Sequence, residues 1–476
     1  MPIIGQICSR VCIGCRHLQC VFLFACLAIL YAIRASLSVA IVPMTDKGRS
    51  NQEVFNWSES VKANVLGAFF WGYMLSQIPG GYLAEKYGAK YVLLLATVIC
   101  SLLSLITPIG THLGDWYLLF AIRIVIGLCQ GVTFPACHVI ISKWAPLDER
   151  GVLATIAYSG TSLGVVGMMS TSGQITESLG WPNIFHIWGG VGLCWCVIWF
   201  IFGGSTPAKC KFVSFAEKKY IEQSQGMSNS EKRPNTPWLK MMTSAPAIAL
   251  FVTDSTTQWA MTMLFVQGPR YTRYVHDLSI RENAIASAIP HFTLFCLCFL
   301  CCVIADILER KKILSAVKNR KLFNTIGGLV PAVALIGMSF TNQDQKFAAI
   351  FLLTMAVGCS AGTYVGFLIN HIDLTPNFAG TLMGVSNALS NVFAIASQAV
   401  VGGVVKDATN PKQWQLIFLT TSGILVLGSI VFLYFGKADV QPWNISEENE
   451  RPSIVAPVPM GDSGIYEKES ISENAV

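Results

Sequence analysis

Charge is the scarcest feature of this sequence. Asp, Glu, Lys and Arg make up 13% of its 476 residues, against roughly a quarter in an ordinary soluble domain. So little polar surface cannot cover a chain that is 53% hydrophobic in water, and the mean hydropathy of +0.53 agrees. A water-soluble fold of this size is excluded. Catalytic motifs are missing too: no Gly-rich phosphate loop, metal-ligand cluster or nucleophile elbow occurs, so neither an enzyme nor a cofactor is expected. A disulfide framework is also absent. Cysteine is plentiful at 16, but Cys194, Cys196, Cys296, Cys298, Cys301 and Cys302 lie inside apolar runs as small packing residues. Cys8, Cys12, Cys15 and Cys20 precede or begin the first run, where juxtamembrane palmitoylation and plain packing are both open.

What is present is apolar length. A helix needs about 20 apolar residues to span a bilayer, and twelve runs qualify: 20–43, 63–84, 91–110, 116–140, 152–174, 184–204, 245–267, 284–307, 323–341, 347–369, 380–404 and 414–436. The expected fold is an all-α membrane protein of twelve transmembrane helices in two pseudo-symmetric halves. The expected divisions are 1–19 (cytoplasmic N-terminus), 20–204 (first six helices), 205–243 (cytoplasmic loop), 244–436 (last six) and 437–476 (cytoplasmic, disordered tail rich in Ser and Glu).

The net charge of +6, from 33 basic and 27 acidic residues, follows topology and implies no nucleic-acid partner. Lys86, Lys90, Lys143 and Arg150 lie in alternate short connections. Lys209, Lys211, Lys218, Lys219, Lys232, Arg233 and Lys240 crowd the central loop, and Arg310, Lys311, Lys312, Lys318, Arg320 and Lys321 follow the eighth run. Arg270, Arg273 and Arg281 run against this trend and are outnumbered. The positive-inside rule places that side, with both termini, in the cytoplasm. The sequon at Asn56 then falls outside, open to glycosylation, and the one at Asn444 inside, where it stays bare.

The halves echo each other. Glu85, Lys86, Gly88 and Lys90 follow the second run as Asp306, Glu309 and Arg310 follow the eighth. Each group puts a carboxylate and basic residues at a helix end, as suits two repeats rocking about a central site. These loops are expected to gate.

The segment Gly81–Lys90 resembles the signature loop of the major facilitator superfamily, with Glu85 where Asp is commoner. Phe69-Phe70-Trp71-Gly72-Tyr73 through Gly81 and Gly131-Val-Thr-Phe-Pro-Ala-Cys-His138 resemble its anion–cation symporter family. So do Asn370-His371-Ile-Asp373-Leu-Thr-Pro376 through Asn387, and Gln441-Pro-Trp443. That family includes sodium–phosphate cotransporters, the sialic acid carrier and vesicular glutamate transporters; the phosphate branch is the nearest in pattern.

An ionised residue in the bilayer core is costly, so each needs a partner or a task. Arg34 in the first run and Arg123 in the fourth offer planar donor forks suited to carboxylate or phosphate. Each is also open to a structural pairing or to snorkelling. The resemblance implies that Arg123 handles anion. At 100° per residue, Arg123, Gly127, Gln130, Gly131, Phe134 and His138 share one face, and close helix packing alone accounts for the glycines. The resemblance puts a glutamate at position 130 in the glutamate and sialic acid carriers and a glutamine in the phosphate branch. Glutamine cannot titrate, so no proton passes through Gln130. Thr257 stands where the glutamate carriers have an arginine.

Asp254 and Gln258, one turn apart in the seventh run, are candidates for Na⁺ or proton coupling; Asp254 neutralising an arginine is equally open. His138 is either a coupling residue or a packed histidine. Asn387, Asn391 and Gln398 share a face, lining a path or bonding neighbours, and Asp373 and His371 serve gating or structure. The expected activity is secondary transport of a small anion, phosphate foremost, coupled to Na⁺ or H⁺. An organic-anion carrier (sialic acid, glutamate or urate-like), a channel and a non-transporting receptor are the alternatives. A monomer in the plasma membrane is expected, with a lysosomal or vesicular membrane as the other location.

Overall fold

A computed structural model of the chain describes residues 14–45, 54–225, 236–278 and 280–444. Cys8, Cys12, Lys232, Arg233 and the tail from 445 onward lie outside the described residues. Described residues form helices with no strand among them, as backbone in lipid must, because every N–H and C=O has to be satisfied within the spanning segment.

Span 1 is Cys15–Thr45 and span 2 Glu59–Leu83. Spans 3 and 4 share one continuous helical stretch, Ala89–Gly131, which turns back at Gly114 and Asp115 through non-helical backbone. Span 4 continues as Thr133–Trp144, followed by span 5, Arg150–Leu179, and span 6, Pro182–Phe202. Span 7 is Ala245–Val275, span 8 Ile280–Arg310 and span 9 Ala316–Ser339. Span 10 is assembled from Lys346–Gly358, Cys359–Ala361, Gly362–Val365 and Phe367–Leu374; spans 11 and 12 are Ala379–Val404 and Pro411–Phe435. By length and hydropathy alone, nine apolar segments emerge among the described residues, one of which, Asn64–Trp144, contains three spans. Span 7 is not among them, which follows from the polar run Thr253–Gln258 at its centre. Most spans outrun their apolar windows by several residues, as helices do when they extend into the headgroup layer.

Spans 4 and 10 hold corresponding places in the two halves, and both are broken. In span 4 the helix interrupts at Val132; Pro135 has no N–H to return to the Gly131 carbonyl. In span 10 the backbone leaves helical geometry at Gly366, with φ −77 and ψ −109. Discontinuous helices at matching positions extend the six-plus-six echo.

Two features were not anticipated. A helix, Phe215–Gln225, lies in the central connection, and its Glu217 accepts hydrogen bonds from the Cys15 and Arg16 amides, each at 3.0 Å. It thereby caps span 1, where a carboxylate suits the helix dipole. Arg16 also reaches Glu149 at 2.6 Å. Far along the chain, Asn444 accepts from Thr375 Oγ1 at 2.8 Å and from the Asn377 amide at 3.1 Å. The Asn370–Pro376 and Gln441–Trp443 motifs thus form one buried structure. The ends of the described chain lie on the same face of the bundle, called here the terminal face.

Candidate anion site and contacts between the halves

Arg34 projects from span 1 into a box of rings. Its guanidinium carbon lies 4.6 Å from the Phe69 centroid, 5.1 Å from Phe70 and Tyr73, and 5.4 Å from Tyr31. The Tyr31 and Tyr73 hydroxyls lie within electrostatic reach of it. Arg123, only 3% exposed, reaches from span 4 to the same place. Its Nη2 donates to the Arg34 carbonyl at 3.1 Å, and its carbon lies 5.5 Å from the Phe69 ring that Arg34 also faces. Among the described residues no carboxylate pairs with either arginine, and Arg123 Nε is buried without a partner. Snorkelling is ruled out for Arg123. The two cations are held together by backbone and aromatic rings, and their charge is left for something else to meet.

Helix geometry explains how this is held. A Cβ on Gly127 would stand 2.1 Å from the Phe69 carbonyl, and one on Gly131 2.4 Å from the Tyr73 carbonyl. Spans 2 and 4 therefore touch backbone to backbone, which presses the Phe69–Tyr73 rings against both arginines. The glycines of the span 4 face serve packing, while its polar residues turn to span 1: Gln130 Nε2 donates to the Leu30 carbonyl at 3.0 Å.

Asp254 does not neutralise an arginine. Ser386 Oγ of span 11 donates to its Oδ2 at 2.6 Å, and Asp254 is buried, within electrostatic reach of Tyr73. Gln258 is half-buried one turn on. Asn387, beside Ser386, keeps Nδ2 buried without a partner, and its carbonyl accepts from Asn391 Nδ2 at 2.7 Å. Gln398 pairs instead with Gln267 at 2.8 Å. A buried carboxylate bonded by a serine hydroxyl thus lies in the other half, within electrostatic reach of Tyr73 beside Arg34.

Sequence comparison bears on what these groups serve. Residues 23–398 match the sequence profile of the Major Facilitator Superfamily. The chain belongs to that superfamily. Vesicular glutamate transporter 1 of Xenopus laevis is 34% identical over 430 residues, covering 88% of this chain and 74% of the relative. Human vesicular glutamate transporter 2 is 32% identical over 458 residues, covering 93% and 78%. These relatives place the chain in the anion–cation symporter group of the superfamily. Among solved structures, the proton:xylose symporter XylE superposes with a TM-score of 0.68 at 14% identity, over 88% of this chain and 96% of that one. The Escherichia coli fucose:proton symporter FucP gives 0.60 at 13%, over 86% and 97%. At such identities the likeness establishes the fold alone. The chain is a multi-pass membrane transporter with the twelve-helix major facilitator architecture.

The two halves also bond to each other directly. At the terminal face Glu85 spans the gap: its carboxylate accepts from the Thr381 amide at 2.8 Å and from Thr381 Oγ1 at 2.7 Å, in the first turn of span 11. Of the other residues expected to gate, Lys86 and Lys90 contact only their own half in these interactions. Gly88 makes the turn, at φ +99, where a side chain would be strained. Asp306 and Arg310 form an i,i+4 pair at 2.8 Å within span 8. The second bridge lies elsewhere: Asp373 binds Arg320 of its own half at 2.9 Å and Arg150 of the other half at 3.9 Å. His138 forms a third. Nε2 lies 3.2 Å from the Leu368 carbonyl across the halves, and Nδ1 lies 2.6 Å from the Tyr158 hydroxyl and 3.1 Å from the Phe134 carbonyl of its own helix. Both ring nitrogens are thus engaged in packing, and His371 stands edge-on at 5.7 Å.

Proposed function

We propose that the chain carries a small organic carboxylate across the membrane by alternating access, with Arg34 and Arg123 gripping the anion near the midplane. The observation that carries this reading is the pairing of the two arginines at one ring without a carboxylate. Two positive charges in low dielectric are costly unless something compensates them, and a transported anion does so only while bound. The surrounding rings suit a substrate with an apolar body beside its charge, and the named relatives are glutamate transporters. Thr257 points away from a second carboxylate on that substrate. Inorganic phosphate is the second reading, supported by Gln130, which cannot relay a proton. Asp254, with Ser386 beside it and Gln258 one turn on, is the proposed coupling site for Na⁺ or H⁺. Coupling is then electrostatic: an occupied or protonated Asp254 alters the charge that the anion must balance.

The basic terminal face is read as cytoplasmic, with the loop 205–243 joining the halves. Asn56, exposed beside Trp57, then faces outward and is the proposed glycosylation site. Asn444 is 7% exposed and engaged by Thr375, which supports its staying bare. The decisive experiment is uptake by purified protein in liposomes, comparing labelled glutamate, sialate and phosphate under imposed Na⁺ or proton gradients. Uptake of an organic anion saturating with concentration is the expected result; uptake of phosphate alone moves the reading to the second, and no saturable uptake overturns both.

A further inference from the structure

On the lipid-facing flank of the first half at the terminal face, where span 2 turns into span 3, basic side chains lie without acidic partners. Lys86 is exposed, its ammonium 5.5 Å from the Tyr82 ring and 5.3 Å from Tyr87. Lys90 Nζ donates to the Phe200 carbonyl at 2.8 Å, at the end of span 6, and lies 6.0 Å from the Tyr91 ring. The Ser205 hydroxyl accepts from the Lys90 amide at 3.2 Å, binding the turn to the strap that follows span 6. That strap carries exposed Lys209 and Lys211 and folds back so that Phe212 meets Phe202 at 5.4 Å. Among the described residues none of these four lysines pairs with a carboxylate. The two acids nearby are occupied elsewhere: Glu85 by span 11 and Glu217 by the start of span 1.

The rings beside these lysines are themselves exposed: Tyr87 by 63%, Tyr91 by 61%, Phe200 by 61% and Phe212 by 55%. Along the same helices exposure continues as Leu95, Leu102 and Ile106 on span 3 and Val197 and Ile201 on span 6, a face that only lipid tails can cover. The lysines and aromatic rings therefore stand where apolar helix surface meets the aqueous edge. Tyrosine and lysine collect at that level, the ring in the interface and the ammonium in the headgroups.

We propose that this rim, formed by Lys86, Lys90 and Lys211 with Tyr87, Tyr91 and Phe212, is a binding site for an anionic phospholipid headgroup. Its partner is a lipid phosphate and not a soluble one, because the flanking rings and the aliphatic surface below them offer a place for acyl chains. The assignment is independent of which anion is carried and of which side of the membrane the terminal face occupies.

The test is native mass spectrometry of the purified full chain titrated with phosphatidylglycerol or phosphatidylcholine of matched chains. The intact protein should retain phosphatidylglycerol in preference, and Lys86→Gln/Lys90→Gln/Lys211→Gln should lower that preference about fivefold for each lysine removed. The Lys→Arg triple variant should keep it, and so should Lys311→Gln/Lys312→Gln/Lys318→Gln on the corresponding turn of the other half. No preference in the intact protein, an unchanged preference in the Lys→Gln variant, or an equal loss in the control on the other half would overturn the site. Displacement of the retained lipid by millimolar inorganic phosphate would overturn its assignment to lipid.

Discussion

At the scale of single residues, the arginine box shows how a membrane protein keeps a charge ready. Each favourable ring contact is worth about 0.5–2 kcal/mol to a cation, more as water is excluded, and four rings surround Arg34. That support stabilises the guanidinium without satisfying its donors as a carboxylate would, so donor capacity remains for a substrate. Arg34→Ala should reduce uptake to background while surface expression stays normal; wild-type uptake in that variant would refute the role. Arg34→Lys keeps the charge but loses the planar fork, and transport should fall by about ten- to a hundredfold, the worth of roughly one charge-assisted hydrogen bond of 1.5–3 kcal/mol. Asp254→Asn retains the bond from Ser386 yet removes the titratable, cation-binding oxygen. Its uptake should lose the response to whichever of Na⁺ or pH drives the intact protein, and a fully preserved gradient response would exclude Asp254 from coupling.

At the scale of helices, the site depends on how closely spans 2 and 4 approach. Gly127 lets the two backbones touch, which in turn sets the rings of span 2 around arginines that belong to spans 1 and 4. A side chain there meets a carbonyl at 2.1 Å, and only a separation of the helices relieves it. Gly127→Val should therefore cost about 1–3 kcal/mol or more, read as a lowered melting temperature and reduced surface expression. An unchanged melting temperature would mean that the helices are not packed in this way. Hydropathy found the spans, yet it did not expose the helix Phe215–Gln225, whose value lies in capping span 1 and not in apolar burial. Nor did it foresee the interruption of span 10, since a backbone bend at Gly366 depends on the neighbouring span 9: a Cβ there would meet Asn324 at 2.8 Å.

For the whole molecule, Glu85, Asp373 and His138 bridge the halves at the terminal face with bonds of different strength. Glu85 at the first turn of span 11 gains from two hydrogen bonds and from the helix dipole, whereas Arg150 lies at a looser 3.9 Å from Asp373. Asp373 keeps Arg320 when the halves part, so releasing Arg150 leaves no carboxylate stranded. Glu85→Gln should shift the population towards the form open at the terminal face, by about fivefold for each kcal/mol lost. Spin-label distances between the ends of spans 2 and 11 would report it, and an unchanged distribution would remove Glu85 from the gate. Gly81→Val should do the same by wedging, because a Cβ at Gly81 meets the Gly380 carbonyl at 2.3 Å.

The number of spans, the basic face, and the ionisable residues buried in apolar helices were determined by sequence alone, since hydropathy, charge asymmetry and helical period are local properties of a chain in lipid. The charge scarcity that excluded a soluble fold also made Arg34, Arg123 and Asp254 conspicuous. What only the tertiary structure decided was partnership. Glu85 and Thr381 are 296 residues apart, and nothing in either segment specifies the other. Lys86 and Lys90 stand beside Glu85 in the sequence, yet in the fold they contact Tyr82, Tyr87 and Phe200 of their own half, while Arg150 and Asp373 meet across the halves. A helical period says which residues share a face; only packing of one half on the other says what that face meets.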